Sequence, residues 1–287
     1  MRVVVTGKGG QLASELQNIM ETDKNWSFLS EQELDITEID VVMRHFSKTS
    51  YDFIINCAAY TNVDKAEDET LSCFDVNEKG VENLLEACKI TGAKLIHYST
   101  DYVFDGERKV PYHERDTTNP IGNYGKSKLA GENAIKLSGI KSIIIRTSWV
   151  YSNYGHNFVK TMVNLADHRN EIGIVGDQIG SPTNAEDLAN VTIQILRNNN
   201  YDWLVGEVFH YSNEGSCSWY KFGEEIFKHL KSSVLLNEVS TEDYPTKAER
   251  PKYSLLDKSK IKRTFGISIP TWQASLERML QKELKSK

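Results

Sequence analysis

The sequence predicts an α/β fold built on a Rossmann-type doubly wound parallel sheet, with a smaller C-terminal lobe. Three observations predict it. The chain opens on a β-branched run, Val3 to Val5, which stops at Thr6-Gly7-Lys8-Gly9-Gly10 before helical spacing begins with Leu12, Leu16 and Ile19. Strand-like and helix-like patterns then alternate through the first half, as a parallel sheet with crossover helices requires. Beyond Thr147 that alternation is broken by glycine, asparagine and aromatic residues, as in Tyr154-Gly155-His156-Asn157-Phe158.

The first unit has the form of a dinucleotide-binding entry. A strand, a glycine-rich turn and a helix N-terminus together present backbone N–H groups to a diphosphate. Gly7 is expected to allow the tight turn and Gly10 the close approach of backbone to pyrophosphate, with Gln11 and Leu12 following. The spacing is Gly-x-x-Gly-x-x-Ala, and Ala13 gives the small residue that helix–strand packing needs. Residues 1–150 therefore read as an NAD(P)-binding domain. Residues 151–287 read mainly as a substrate-binding lobe, with some segments returning to the first domain.

The later elements follow in order. Trp26 to Leu29 reads as the second strand, and Thr37 as the cap of a helix through Met43 and Phe46. Phe53 to Asn56 is a third strand ending in Cys57-Ala58-Ala59-Tyr60-Thr61, small residues where open α/β sheets bind ligands. A long helix pattern runs from about Leu71 to Thr91 and stops at Gly92. Lys94 to Tyr98 is the fourth strand, a helix spans Tyr124 to Leu137, and Ser142 to Arg146 is the fifth strand. In the second half, helices are expected at Phe158 to Ala166, Ala185 to Leu196, Trp219 to Leu230 and Trp272 to Leu284, with a polar turn at Asn198-Asn199-Asn200.

Composition excludes several classes. Charged residues at 26% and hydrophobic ones at 39% are ordinary for a soluble domain. A formal charge of -6 gives no electrostatic reason to expect nucleic acid. No apolar stretch approaches membrane-spanning length, and the N-terminus enters a strand at once, so a cytoplasmic protein is expected. Cys57, Cys73, Cys88 and Cys217 show no metal-binding or redox pairing and read as reduced core thiols. His97 reads as a satisfied core residue, and His113 and His156 have no metal-ligand spacing.

Chemistry enters with Tyr124-Gly125-Lys126-Ser127-Lys128. Residues four apart share a helix face, so Tyr124 and Lys128 point into one cleft. A nearby ammonium favours the phenolate and draws the tyrosine toward the range of a working acid. Thr100, at the end of the fourth strand, adds a hydroxyl for the same substrate oxygen. Each signal is common by itself; their combination behind a nucleotide turn is specific.

These motifs, together with Ser99-Thr100-Asp101-Tyr102-Val103-Phe104-Asp105-Gly106 and Arg146-Thr147-Ser148-Trp149, resemble the extended short-chain dehydrogenase/reductase family along the whole chain. The resemblance implies carbonyl reduction of a dTDP-sugar of the 4-keto deoxysugar class, for bacterial surface polysaccharide. Tyr124, Lys128 and Thr100 would be catalytic, with Tyr124 giving the proton and Lys128 also holding the nicotinamide ribose. Gly7, Gly10, Gln11 and Leu12 would line the pyrophosphate, Asp35 and Ile36 the adenine, and Ala58, Ala59, Tyr60 and Thr61 the middle of the cofactor. Thr100, Asp101, Tyr102 and Trp149 would touch substrate, although Trp149 reads equally as core. Sugar-nucleotide dehydratases of this fold carry an acid where this chain has Tyr102, which argues against elimination of water. Ser30 stands where an acid would select NAD, so NADPH/NADP is expected, with NADH possible. Arg250-Pro251 resembles a motif near the diphosphate, with a solvated loop arginine as the alternative. Some relatives bind Mg²⁺ between subunits through three glutamates; Glu15 and Glu186 match two, but the third position holds Lys282, so no such metal is expected. Glu15 is otherwise a solvated surface acid. The chain would be a monomer or homodimer. The resemblance also leaves open a non-catalytic NADP-binding regulatory subunit, or another 4-keto sugar-nucleotide reductase or epimerase.

Overall fold

The computed structural model describes residues 1–198 and 200–285; Asn199, in the expected polar turn, lies outside them. The first half gives β1 Val3–Thr6, α1 Gln11–Ile19, β2 Trp26–Leu29, α2 Ile39–Lys48 and β3 Phe53–Asn56. It continues with α3 Thr70–Phe74, a π-helical turn Asp75–Lys79, α4 Gly80–Thr91, β4 Lys94–Thr100, α5 Asn123–Leu137 and β5 Ser142–Thr147. The second half holds β6 Val150–Tyr151, α6 Phe158–Ala166, β7 Glu171–Val175, β8 Ile179–Gly180, β9 Thr183–Asn184, α7 Ala185–Arg197 and β10 Glu207–His210. It ends with β11 Cys217–Ser218, α8 Trp219–Leu230, β12 Leu235–Val239, α9 Ser259–Phe265 and α10 Trp272–Lys285.

The main sheet has the order β10-β5-β4-β3-β1-β2, and every pairing in it is parallel. Both faces are covered, which is why its strands are nearly continuous apolar runs. Val3, Val5, Ile55, Ile96 and Ile143 pack on one face with Leu12 and Leu16 of α1 and Leu188 of α7. Val4, Ile54, Leu95 and Ile144 face the other way, against Val42 of α2, Leu84 of α4 and Ile135 of α5. A separate cluster around Met162, Ile174, Phe222, Trp272 and Leu276 forms the core of the lobe. The strand order reverses between β1 and β3, and a ligand crevice opens there beyond the carboxyl ends of the strands.

Three local expectations are corrected. Thr37 does not cap α2: its N–H and hydroxyl both donate to the Asp35 carboxylate, at 2.9 and 2.7 Å, in a local turn that precedes the helix. The helix expected from Leu71 to Thr91 contains the π-turn, which inserts a residue and rotates Asn77 inward. Gly92 ends it at φ 73°, as a left-handed cap should. β10 was not legible as a strand; its Glu207-Val208-Phe209-His210 is short and pairs only with β5. With α7 packed on α1, it returns second-half sequence to the main sheet.

Candidate active site

A cleft of about 860 Å³ lies over the β1/β3 edge. Its floor begins at the turn after β1. Gly7 has φ 72° and Gly9 φ 93°, whereas Gly10, at φ −72°, is the N-cap of α1. The conformational demand thus falls on Gly7 and Gly9, not Gly10. A side chain at Gly7 would also strike the backbone of Ala58 at 2.6 Å, so the two turns can meet only through glycine. No side chain caps α1 and its first turn carries no acid, so its leading N–H groups remain available to an anion.

Most residues singled out from sequence line this cleft: Gly7, Gly10, Gln11, Leu12, Asp35, Ile36, Ala58, Ala59, Tyr60, Thr61, Tyr124 and Lys128. Gln11 also ties the cleft to the lobe, donating to the Val150 carbonyl at 3.4 Å and accepting from Asn157 at 3.0 Å. Asn77, rotated in by the π-turn, pairs with both backbone groups of Tyr60 at 3.0 Å and donates to Ser127 of α5 at 3.0 Å. It therefore fixes the Tyr60 loop to the helix that carries Tyr124 and Lys128. A Cβ at Gly125 would collide with the Tyr102 carbonyl, and one at Gly131 with that of Asn77, so α5 seats this deeply only through those two glycines.

The tyrosine and lysine depart from expectation. Burial pushes the Tyr124 phenol well above its ordinary value, with the Thr100 hydroxyl beside it pulling the other way. Lys128 does not lower it. Its Nζ donates to the Tyr98 carbonyl at 2.6 Å and lies 3.3 Å from His97 Nε2, and burial pulls its own pKa down to about 8. Thr100 also differs: its hydroxyl donates to Asp101 at 3.0 Å and accepts from the Tyr102 N–H at 3.1 Å. Asp101 is buried, and desolvation raises its carboxyl to about 6. The Tyr102 ring meets that of Tyr124 edge to face at 5.8 Å.

Other candidates sit apart. Ser30 does not line the cleft; the Glu33 carboxylate accepts from its N–H and hydroxyl at 2.8 and 2.9 Å. An acid thus stands at the end of β2 after all, with Lys8 3.7 Å from it. Trp149 takes φ 48°, a strained state for a bulky residue, and stacks on Trp219 with centroids 3.6 Å apart. Arg250 is no solvated loop residue: it is paired with Asp64 at 2.8 Å. Glu15 is 5% exposed, not solvated, and accepts from Ser152 at 2.9 Å. Both oxygens of Glu186 receive the Lys282 ammonium, at 2.7 and 2.8 Å. Among the described residues, no three His, Cys, Asp or Glu side chains are grouped to hold a metal ion. No described helix is long and apolar enough to cross a membrane.

Sequence reasoning passed over Gly9, and Asn56, which lines the cleft from the end of β3. A lone amide closing the run Phe53-Ile54-Ile55 was the available signal. It also passed over the part played by His97, buried mid-strand between Ile96 and Tyr98.

The chain matches the family model described as RmlD substrate binding domain over residues 1–285. It is 43% identical to a dTDP-4-dehydrorhamnose reductase of Aggregatibacter actinomycetemcomitans, covering 96% of this chain and 97% of that one. The crystal structure of a dTDP-4-dehydrorhamnose reductase from Clostridium acetobutylicum superposes with a TM-score of 0.93 at 40% identity, over 99% of this chain and 100% of the other. The enzyme of the same name from Bacillus anthracis, solved in complex with NADP, gives 0.92 at 40% identity, over 98% and 99%.

Proposed function

The chain belongs to the RmlD substrate binding domain family, and on that premise we propose that it is a dTDP-4-dehydrorhamnose reductase. It reduces the C4 ketone of dTDP-4-dehydro-L-rhamnose to dTDP-L-rhamnose, a precursor of bacterial surface polysaccharide, with NADPH or NADH. One observation carries the reading: the glycine turn, the Ala58–Thr61 loop and the pair Tyr124 and Lys128 line one cleft.

The residues present fit a dinucleotide. The uncapped start of α1 and the Gly7–Gly10 turn would hold the diphosphate, Asp35 and Ile36 the adenine, and Lys128 the nicotinamide ribose. A reduced nicotinamide bound there supplies hydride. Tyr124 donates the proton to the oxygen that was the ketone. The buried phenol carries its proton at neutral pH before the substrate arrives, so it holds the proton that the reduction consumes. Thr100 orients the same oxygen, and Asp101, Tyr102 and Trp149 face the sugar nucleotide. Residues 151–287 form mainly the substrate lobe, with α7 and β10 given back to the cofactor domain. No Mg²⁺ is held at Glu15 and Glu186, because the Lys282 ammonium occupies the position of the third acid and neutralises Glu186.

The test is loss of reduced-nicotinamide absorbance when purified protein meets NADPH and dTDP-4-dehydrorhamnose. Tyr124→Phe should lower turnover by on the order of 10²-fold or more. No turnover by the unaltered chain, despite cofactor binding, overturns the assignment. Equal rates in both proteins overturn the role of Tyr124.

A further inference from the structure

Beneath the cleft a buried chain of polar groups runs from β1 through β3 and β4 to α5. Thr6 Oγ1 donates to Asn56 Oδ1 at 2.7 Å, and the Ala58 backbone N–H donates to the same oxygen at 3.1 Å. A backbone N–H can only donate, so it fixes which end of the amide is oxygen. Asn56 Nδ2 then faces His97 Nδ1, at 3.1 Å. An amide nitrogen has no lone pair to offer, so Nδ1 is the acceptor and carries no proton. The imidazole is neutral, since burial holds His97 well below its ordinary pKa. Its one proton therefore sits on Nε2, directed at Lys128 Nζ 3.3 Å away. An ammonium has three donors and no acceptor, and two N–H groups cannot bond each other.

We propose that His97 is a positioning residue: fixed by Asn56 as the tautomer protonated at Nε2, it holds Lys128 in the cofactor-free chain as an uncharged amine. The surroundings agree. Lys128 is 2% and His97 0% exposed, so a free cation here would carry a large desolvation cost. Among the facing groups one ionised acid, Glu132, pulls the lysine back toward the charged form without outweighing burial. Glu132, one turn further along α5, is already engaged by Arg146 and Lys136. Burial raises the thiols of Cys57, after β3, and Cys73, on α3, so both are neutral. Tyr124 on α5 is a neutral phenol, and β4 presents only the Tyr98 carbonyl, which one amine N–H satisfies. Burial, against the opposing pull of Glu132, leaves Lys128 at about 8, and the imidazole N–H facing the nitrogen takes it lower still. That this lysine then serves carbonyl reduction rests on the reading above; its state in the empty chain does not.

The test is nuclear magnetic resonance on the cofactor-free protein with labelled histidine and lysine, Lys128→Met identifying the Lys128 signal. The ¹⁵N shifts of His97 should show Nδ1 bare and Nε2 protonated, a readout that needs no variant. The Lys128 Cε signal should titrate with a midpoint below 8. In His97→Leu the bond that favoured the free amine is gone, so the proton affinity of Lys128 should rise at least tenfold. A His97 protonated on Nδ1, a Lys128 midpoint at 8 or above, or an affinity in His97→Leu that rises less than tenfold or falls would overturn the proposal. A merely space-filling histidine predicts neither the tautomer nor the sign of that shift. Failure of the reductase assay leaves all three readouts interpretable.

Discussion

Replacing Glu132 by Gln should be among the most destabilising single changes in the nucleotide-binding half. Glu132 is 0% and Arg146 1% exposed, and the two form a bidentate pair, with Arg146 Nε 2.8 Å from Oε1 and the second guanidinium nitrogen 2.7 Å from Oε2. Lys136 adds a third contact to Oε2 at 3.0 Å. These contacts outweigh burial and draw the carboxyl from 4.5 down to about 2. At about 1.4 kcal/mol per tenfold in proton affinity, the native state thereby favours the ionised form by about 3 kcal/mol. Glutamine keeps the shape but leaves Arg146 as a buried charge beside the already neutral His210, and such losses run to about 3–5 kcal/mol. The assay is urea unfolding at pH 7, read as the shift in midpoint at constant slope. The double change Glu132→Leu with Arg146→Met should recover most of the loss, because an apolar pair has no charge to desolvate. The pH dependence has a fixed sign. A carboxyl with a depressed native pKa stabilises fully above about 4.5 and loses that contribution as pH falls toward 2, so the wild type should weaken more steeply than Glu132→Gln below pH 4.5. A loss under about 1 kcal/mol at pH 7, or parallel pH profiles, would refute the reasoning.

Two further outcomes follow from the same geometry. Gly125→Ala places a methyl against the Tyr102 carbonyl, so α5 must lift; stability should drop by about 1–3 kcal/mol and kcat/KM at least tenfold, and full activity at unchanged melting temperature would contradict this seating of the helix. Chelation with EDTA should leave turnover and melting temperature of the wild type unchanged, whereas Lys282→Glu, which brings a third acid to Glu15 and Glu186, should make the melting temperature respond to Mg²⁺; loss of wild-type activity in EDTA would show that a metal is required.

Much of this molecule was legible in one dimension because its signals are local. The run Val3–Val5, the glycine turn and the spacing of Leu12 and Leu16 depend only on chain geometry and burial, and helices such as Trp219–Leu230 announce themselves by period. The pairing of Tyr124 with Lys128 on one helix face is likewise a matter of counting four residues. What remained hidden depends on neighbours far apart in sequence. The acid at Ser30 comes from Glu33 folding back, and the third-position lysine meets Glu186 across 96 residues. Counting residues suggested that Lys128 would serve Tyr124. The tertiary structure turned it instead to Tyr98 and His97, because a buried nitrogen must bond whatever partner the adjacent strand presents. The sequence by itself determined which groups reach the cleft; packing decided which of them carry charge there, since protonation depends on desolvation and on partners that only the folded chain brings together.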